Sequence, residues 1–350
     1  MIQHQNILDI LQEFNLNGNH IQYTPLTAGL INDTFLVTDD EKQQFILQRI
    51  NHIVFKNTGI LMDNINYALP YLTADDYAQI TFLPTKSGEN CLQINGDYWR
   101  IMTYIPDSTT YNTTTNTSTA FETGRIVGGF HSLLKKADVT LFKDTLPKFH
   151  HLDHRAHEFK EALATSEVDK REIAAEAIKK ADHFLKELEH LNNENLPVRI
   201  CHNDTKLNNI LFSKNSDKAL CLIDLDTIMK GYFYYDFGDA IRTVVNVAPE
   251  DEQNHDLIAF NSELFEAFVD GLATNESFLT EEEKQSLPLG AVFMPFIHGL
   301  RALTDYLNNN TYYKVTYENQ NLDRCLSLFN FAEKALAKKE MMAAYIQKCL

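Results

Sequence analysis

The stretch RICHNDTKLNNILFSKNSDKALCLIDLDTIMKGYFYYDFGDAIRT, residues 199–243, contains two polar blocks that each follow a short apolar run. Residues 202–209, HNDTKLNN, follow the apolar-rich run 196–201, and we call them the HND block. Residues 223–226, IDLD, end the apolar run 219–223 and form the IDLD block. The turn-forming sequence SKNSDK lies between the two blocks, which predicts a hairpin that brings them together.

The HND and IDLD blocks contain the residue types that phosphoryl transfer requires. This reaction needs a carboxylate to orient the attacking hydroxyl and accept its proton, and cations to hold the phosphates in line. Asp204 fits the first role. Asn209 and Asp224 can bind one Mg²⁺ ion together, because hard cations take oxygen ligands. Each residue alone is also an ordinary turn or cap residue, but the ordered set has few other uses.

Residues 202–242 resemble the kinases of the aminoglycoside and choline phosphotransferase family. Within that family, the strings HNDTKLNNIL, IDLDTIM and DFGDAIR are similar to those of the N-acetylhexosamine 1-kinases. The similarity extends to FILQRIN at residues 45–51 and LRALTDY at residues 300–306, and so covers most of the chain. It implies a two-lobed, protein-kinase-like α+β fold, with a small antiparallel-sheet N-lobe and a large, mainly helical C-lobe. It also implies that ATP and Mg²⁺ are the cofactors and that a sugar is the acceptor.

The length of 350 residues suggests two lobes of one enzyme rather than a single small domain. We place the nucleotide-binding N-lobe, with its hinge, at residues 1–105 and the catalytic and sugar-binding C-lobe at residues 106–350. The net charge of −17 argues against a nucleic-acid partner, because binding to phosphate backbones requires clustered Lys and Arg. ATP is compatible with this charge if Mg²⁺ neutralises its phosphates.

The cysteines and the N-terminus favour a cytoplasmic protein. The five cysteines are scattered without CxxC spacing, a pattern typical of free thiols in a reducing compartment. The N-terminal sequence MIQHQNILDI has no basic region followed by an apolar core, so it does not resemble a signal peptide. No uninterrupted apolar run reaches the length of about 18 residues that a membrane span needs, and we expect no membrane partner.

The spacing of apolar residues predicts a helix, three strands, a second helix and further strands in the N-lobe. The expected elements are a helix at 5–15, strands at 21–23, 34–37 and 45–47, a helix at 57–72, and strands at 80–83 and 98–104. Met102 and Tyr104 are expected at the hinge where adenine binds, although both residue types are equally typical of a core.

Two parts of the N-lobe are expected near the nucleotide phosphates. Residues 26–34 contain one glycine, which fits an ordinary hairpin turn, whereas the resemblance implies a phosphate-covering loop. Asn32 in this loop is a predicted substrate contact, and Leu30 stands where many relatives have His. Kinases usually place a lysine on the third strand to grip the phosphates, but this chain has Gln48 and Arg49 there. Neighbouring strand residues point to opposite faces, so only one can face the nucleotide, and the sequence leaves the choice open.

The C-lobe pattern is helical. Helices are predicted at 120–136 and within 153–191, and the C-terminal part should be helical with a capping box formed by Thr280 and Glu283.

The DFGD string follows the IDLD block too late to supply the metal-binding aspartate. Asp236 and Asp239 are expected to anchor the HND block by hydrogen bonds or to contribute to the acceptor pocket, with Arg242 as an ionic partner.

The resemblance also implies contacts with the reacting groups. Positions that match Arg301 and Tyr312 contact the hexosamine in the resembling kinases, and the five donors of an arginine suit ring hydroxyls. Thr243 stands where relatives can have an aromatic residue beside the N-acetyl group, and we include it among the substrate contacts. Lys206 is expected to approach the transferring phosphoryl group.

The leading hypothesis is an ATP- and Mg²⁺-dependent kinase that phosphorylates the 1-hydroxyl of N-acetylglucosamine or N-acetylgalactosamine. The nearest alternative is the same chemistry on a hexose, an amino alcohol or an aminoglycoside. A nucleotide- or sugar-binding regulator without turnover belongs to a different class. The Asp204, Asn209 and Asp224 set argues against a regulator, whereas the missing strand lysine favours it.

Overall fold

The computed structural model describes residues 5–18, 20–26, 31–189 and 193–350. Part of the predicted phosphate-covering loop, including Leu30, lies outside the described residues. Asn32, near the end of that loop, lies within them.

The N-lobe is built on an antiparallel sheet. Its described elements are α1 (Gln5–Leu11), β1 (Gln22–Leu26), β2 (Asp33–Thr38), β3 (Gln44–Ile50), α2 (Thr58–Ala68), β4 (Phe82–Leu83), β5 (Leu92–Ile94) and β6 (Asp97–Thr103). The strand order is β1-β2-β3-β6-β4, and β5 pairs with β6. Every one of these pairs is antiparallel. The predicted strands of the N-lobe are therefore confirmed, and β5 is an addition.

The two faces of the N-lobe sheet have different chemistry, because side chains alternate along a strand. One face packs with α1 into a small apolar core that includes Phe35, Leu47 and Trp99. On the opposite face, Gln48 lies directly across from Thr34 on β2 and from Arg100 on β6. This polar row points towards the C-lobe, where Arg100 meets a carboxylate of the IDLD block.

The C-lobe is mainly helical. Its described elements are β7 (Ser108–Thr109), α3 (Thr117–Leu134), α4 (Leu152–Thr165), α5 (Val168–Ile173), α6 (Ala175–Glu187), β8 (Arg199–Cys201), β9 (Ile210–Ser213), β10 (Ala219–Leu222), β11 (Met229–Gly231), α7 (Phe233–Val244), α8 (Ser262–Ala273), α9 (Glu281–Leu307), α10 (Gln320–Ala337) and α11 (Lys339–Cys349). The predicted α+β fold with a small sheet lobe and a large helical lobe is confirmed. The predicted lobe boundary falls between the end of β6 and the start of β7.

Helix α9 is the central helix of the C-lobe core. It begins at a capping box in which Thr280 and Glu283 hydrogen-bond each other's backbone, as the sequence predicts. By length and composition alone α9 could cross a membrane, but 83% of its most apolar stretch is buried inside the protein. It packs against α4, α7 and α10, which is the environment of a core helix.

The two lobes share a packed interface. Leu61 and Ile65 of α2 belong to the same apolar core as the C-lobe helices. Asn64 of α2 donates hydrogen bonds to the carbonyls of Lys143 and Ile228, at 2.7 and 2.8 Å. Because Ile228 directly follows the turn Leu225–Thr227, which overlaps the IDLD block, α2 helps to hold that turn against the N-lobe.

Helices α7 and α9 cross where two glycines remove the side chains. A Cβ atom on Gly238 would lie 2.1 Å from the carbonyl oxygen of Gly290, and one on Gly290 would lie 2.7 Å from the carbonyl oxygen of Tyr234. Side chains at these positions would push the helices apart. The crossing sets the position of α7, which carries Asp236 and Asp239.

We predict that Gly238→Ala lowers the free energy of unfolding by about 1–3 kcal/mol, the usual cost of overpacking a core. The matched control is Gly129→Ala in α3, where an added Cβ meets only Asn275 Oδ1, at 3.6 Å. There the exchange should be neutral or should stabilise the helix by up to about 1 kcal/mol. Urea denaturation of both variants tests this, and equal stabilities would contradict the close crossing.

Candidate active site

The HND block forms a loop between β8 and β9, and one buried carboxylate anchors this loop by hydrogen bonds. Asp236 of α7 accepts hydrogen bonds from the backbone N–H groups of His202, at 2.8 Å, and Asn203, at 2.7 Å. The hydroxyl of Thr205 donates to the carbonyl of Asp236 at 2.6 Å, and His131 Nε2 lies 2.8 Å from its carboxylate. Asn203 has a left-handed backbone with φ of 62°. Asp236 thus anchors the loop, one of the two roles expected from the sequence.

Asp204 lies in this loop beside one cation and one amide. Lys206 Nζ is 2.9 Å from Asp204 Oδ2, and Asn209 Nδ2 donates to the same oxygen at 2.7 Å. Burial alone would raise the pKa of Asp204, but the charge and hydrogen bond of Lys206 outweigh it and hold that pKa below its ordinary value. The carboxylate is therefore ionised at neutral pH. Both contacts engage Oδ2, and no donor among the described residues contacts Oδ1.

The IDLD block meets the HND block as the sequence predicts. The backbone N–H of Ile223 donates to the carbonyl of Asn209 at 2.8 Å, and His202 Nε2 lies 2.9 Å from the carbonyl of Ile223. Asp224 follows with a left-handed backbone, at φ of 62° and ψ of 56°. These contacts place the Asp224 carboxylate beside the HND loop.

Asp224 has an unusual electrostatic environment. Its side chain is exposed, although the protein around it partly desolvates the carboxylate. Partial withdrawal from water raises the pKa of Asp224 to about 7, and the charges of Asp226 and Asp204 add to this effect. Within the described residues, no cationic group pairs with its carboxylate. A carboxylate without a cationic partner favours the binding of a metal cation that neutralises its charge.

The donor set at this point fits Mg²⁺. Asn209 turns its Nδ2 towards Asp204, which leaves Oδ1 without a hydrogen-bond donor among the described residues. Carboxylate oxygens of Asp224 and this amide oxygen are hard ligands of the kind that Mg²⁺ takes alongside nucleotide phosphates.

The structure separates Gln48 from Arg49. Arg49 Nε donates to Asp33 at 2.8 Å, and Arg49 also pairs with Asp97, on the sheet face that packs against α1. Gln48 lies on the other face, towards the IDLD block, and its Oε1 accepts from Arg100 Nη2 at 2.8 Å. Their nucleotide contacts stay predictions, as do those of the partly buried Met102 and Tyr104 at the end of β6.

Sequence reasoning missed an ion pair between the lobes. Arg100 Nη2 lies 2.5 Å from Asp226 Oδ1, and both side chains are only 2% exposed. Asn32 Nδ2 donates to Asp226 Oδ2 at 2.7 Å. An arginine inside the apolar strand sequence YWRIM is the one local signal that could have indicated a buried partner, because an unpaired buried charge is costly.

The predicted acceptor residues lie on the C-lobe side. The Arg301 guanidinium lies 4.7 Å from the ring centroid of Phe149 and 5.9 Å from those of Tyr312 and Tyr313. Within the described chain no carboxylate lies within ion-pair distance of Arg301. Thr243 instead faces the HND loop, where its hydroxyl accepts from the backbone N–H of Leu207 at 3.0 Å.

A buried charge network around Asp239 lies next to this region, where Arg324 stacks on Tyr313. Asp239 accepts from Arg242 Nε at 2.7 Å, and Glu250 pairs with both Arg242 and Arg324. His298 Nε2 lies 3.2 Å from Asp239 Oδ1. Arg242 is therefore the ionic partner of Asp239, as predicted.

Two histidines of this region are neutral. His150 Nε2 lies 3.0 Å from the carbonyl of Asn203, the residue before Asp204. Burial, with His298 and Arg301 adding to it, lowers the pKa of His150 to about 3. Burial and the nearby Arg242 and Arg301 lower the pKa of His298 well below its ordinary value. The ring nitrogens can therefore act as uncharged hydrogen-bonding groups.

Comparison with known proteins shows which family and which solved structures this chain resembles. The chain matches the family described as "Phosphotransferase enzyme family" over residues 22–269, more than half of its length. It is similar to a microcompartment-associated aminopropanol kinase at 16% identity and a TM-score of 0.65, over 97% of this chain and 98% of that chain. It is also similar to a spectinomycin phosphotransferase in complex with ADP and spectinomycin, at 12% identity and a TM-score of 0.64, over 97% of this chain and 99% of that chain. A third similar structure is choline kinase from Cryptosporidium parvum Iowa II, at 14% identity and a TM-score of 0.59, over 98% of this chain and 97% of that chain.

At these low identities the structural likeness shows the fold, and it confirms the kinase-like, two-lobed architecture expected from the sequence. The matched range contains the HND loop, the IDLD block and α7. The chain therefore belongs to the phosphotransferase enzyme family.

Proposed function

We propose that the protein is a cytoplasmic, ATP- and Mg²⁺-dependent kinase that phosphorylates the 1-hydroxyl of N-acetylglucosamine or N-acetylgalactosamine. The observation that carries the choice of acceptor is Arg301, a cation held among aromatic rings on the C-lobe side and free of any carboxylate partner in the described chain. The strings HNDTKLNNIL, IDLDTIM and DFGDAIR, which resemble N-acetylhexosamine 1-kinases, supply the choice of hydroxyl.

Asp204 is the proposed catalytic base. Lys206 and Asn209 hold its Oδ2, so Oδ1 is the oxygen left to orient the sugar hydroxyl and accept its proton. As that proton leaves, the sugar oxygen forms its bond to the γ-phosphorus and the bond to the ADP oxygen breaks. Lys206 remains close to the charge that develops on the transferred group.

Asn209 and Asp224 are the proposed ligands of Mg²⁺, which when bound neutralises the nucleotide phosphates. On the N-lobe side, Met102 and Tyr104 are proposed to border the adenine. Gln48 faces the IDLD block and is better placed than Arg49 to approach the phosphates.

The electrostatics of the acceptor side support a neutral substrate. Asp239 and Glu250 are balanced by Arg242 and Arg324, and His150 and His298 are neutral, which leaves the charge of Arg301 uncompensated. A cationic acceptor would be repelled by that charge. Ring hydroxyls and an acetamide carbonyl can accept its hydrogen bonds, with Tyr312 beside it.

The alternative is a kinase for an amine-bearing acceptor. It is favoured by the named substrates of the similar structures, aminopropanol and choline, both of which carry a positive charge at neutral pH. A binding protein without turnover is favoured only by the absence of a lysine on β3.

Asp204→Asn should reduce turnover by about 10²–10⁴-fold, the usual contribution of a general base, because an amide cannot accept the proton. Affinity for Mg²⁺ and ADP should stay near that of the wild type. Steady-state kinetics and calorimetric ADP binding measure the two quantities. Asp217→Asn, the same exchange in the exposed turn after β9, is the matched control. A near-normal rate for Asp204→Asn would remove this residue from the proposed role.

Asp224→Asn should weaken nucleotide binding in Mg²⁺ by more than tenfold, because a primary oxygen ligand loses its charge, yet leave binding in EDTA unchanged. The backbone should tolerate the exchange, since asparagine accepts the left-handed conformation seen at this position. Calorimetry with ADP in both buffers measures the difference. An unaltered dependence on Mg²⁺ would contradict the assignment.

Phosphorus NMR tests the acceptor. Reactions contain ATP, Mg²⁺ and one of N-acetylglucosamine, N-acetylgalactosamine, glucose or aminopropanol. We expect an anomeric phosphate signal from an acetylated sugar that grows together with ADP, and Arg301→Met should raise the KM for that sugar more than it changes kcat. Phosphorylation of aminopropanol alone would establish the alternative acceptor class. Nucleotide binding without turnover on any acceptor would favour the regulator.

A further inference from the structure

The buried cation of the N-lobe sheet lies on β6 rather than on β3. Gln48, on β3, sits directly between Thr34 and Arg100 in the strand register. Its Oε1 accepts from Arg100 Nε at 3.1 Å and from Nη2 at 2.8 Å, and its Nε2 donates to Thr34 Oγ1 at 3.4 Å. The glutamine thus holds the guanidinium in one orientation. Kinases usually place their sheet cation at the β3 position, as a lysine.

Arg100 is directed at the second aspartate of the IDLD block. The Nη2 to Oδ1 distance to Asp226 is 2.5 Å, and the two side chains are almost fully shielded from water. The remaining amino group of Arg100 faces Met62 Sδ at 3.9 Å. A buried pair of this kind tolerates little movement, because loss of either partner leaves an uncompensated charge in an apolar region.

Asn32 completes the attachment from the N-lobe. Its Nδ2 donates to Asp226 Oδ2 at 2.7 Å, while its Oδ1 accepts from the backbone N–H of Asn51 at 2.9 Å. Both polar ends of Asn32 are therefore engaged between the N-lobe and Asp226. Each carboxylate oxygen of Asp226 is held by a different residue of the N-lobe.

Asp226 shares one tight turn with Asp224. A single residue separates the two, and Asp226 lies inside the 3₁₀ turn Leu225–Thr227 that Asp224 precedes. From the C-lobe side, the Thr227 hydroxyl donates to the carbonyl of His202 at 2.7 Å. The turn that follows Asp224 is thus held by the HND loop on one side and by the N-lobe on the other.

We propose that Arg100 and Asn32 are positioning residues that hold Asp226, and through it the turn, so that closed lobes present Asp224 to the metal-bound nucleotide. Arg100 takes over the place of the sheet lysine by acting on the protein's own carboxylate instead of on the phosphates. This inference rests on the proposed role of Asp224 in metal binding, and it gives Asn32 a bridging role in place of the substrate contact predicted from the sequence.

The test compares Arg100→Met with the double variant Arg100→Met/Asp226→Leu and with Arg100→Lys. Asp76→Asn is the control, because it removes the exposed carboxylate of another ion pair between the lobes, that with Arg125. Two readouts are used on the full chain. Hydrogen exchange follows the amides of residues 224–229 without nucleotide, and calorimetry measures ADP affinity with Mg²⁺ and with EDTA.

Arg100→Met should speed exchange in this turn and weaken ADP binding in Mg²⁺ by about 10- to 100-fold, the usual cost of losing a group that supports a metal ligand. Binding in EDTA should hardly change. Arg100→Lys should recover part of the affinity. The double variant removes both buried charges, so it should regain thermal stability while the turn stays loose and Mg²⁺-dependent binding stays weak. Asp76→Asn should behave as wild type.

Two results would overturn the inference. If the double variant recovers slow exchange and full Mg²⁺-dependent affinity, the pair only balances buried charge and does not position the turn. If Arg100→Met matches the control in both readouts, the N-lobe does not hold the turn. Neither readout contains an acceptor, so a failure to phosphorylate sugars would overturn the proposed function without affecting this result.

Discussion

The arrangement of the site depends on one buried carboxylate, that of Asp236. It accepts the backbone N–H groups of two consecutive residues of the HND loop, which would otherwise be buried without partners. Such unsatisfied groups cost about 1–3 kcal/mol each, so the carboxylate determines where this loop can lie. The glycine crossing of α7 and α9 sets the position of α7 and hence of Asp236. Helix packing in the C-lobe thereby decides the position of Asp204.

Near Asp236, two of three carboxylates have a cationic partner and the third does not. Lys206 serves Asp204 and Arg100 serves Asp226, whereas Asp224 has no such partner in the described chain. The pKa of Asp204 is accordingly lowered and that of Asp224 is raised. Aspartates that lie close together thus differ in proton affinity because their neighbours differ. A divalent cation would complete the set at the one carboxylate left without a charge partner.

In the proposed acceptor region around Arg301, the carboxylates do have cationic partners. Arginines neutralise the carboxylates there, and burial keeps the histidines uncharged. The charge that remains is that of Arg301, which lies among aromatic rings. The overall charge of −17 does not describe this region. Local pairing rather than net composition therefore sets the charge of the region around Arg301.

The sequence by itself determined the elements and the presence of the two polar blocks. Alternation and helical spacing act over a few residues, so they were sufficient for β2, β3, α2, α3 and the capping box at Thr280, and the hairpin brought the HND and IDLD blocks together. Only the tertiary structure decided that Gln48 and Arg49 have different partners, which of the two roles expected from the sequence Asp236 has, and that Arg100 meets Asp226. These contacts join residues far apart in the chain, and they depend on strand register and helix packing, which no local pattern specifies.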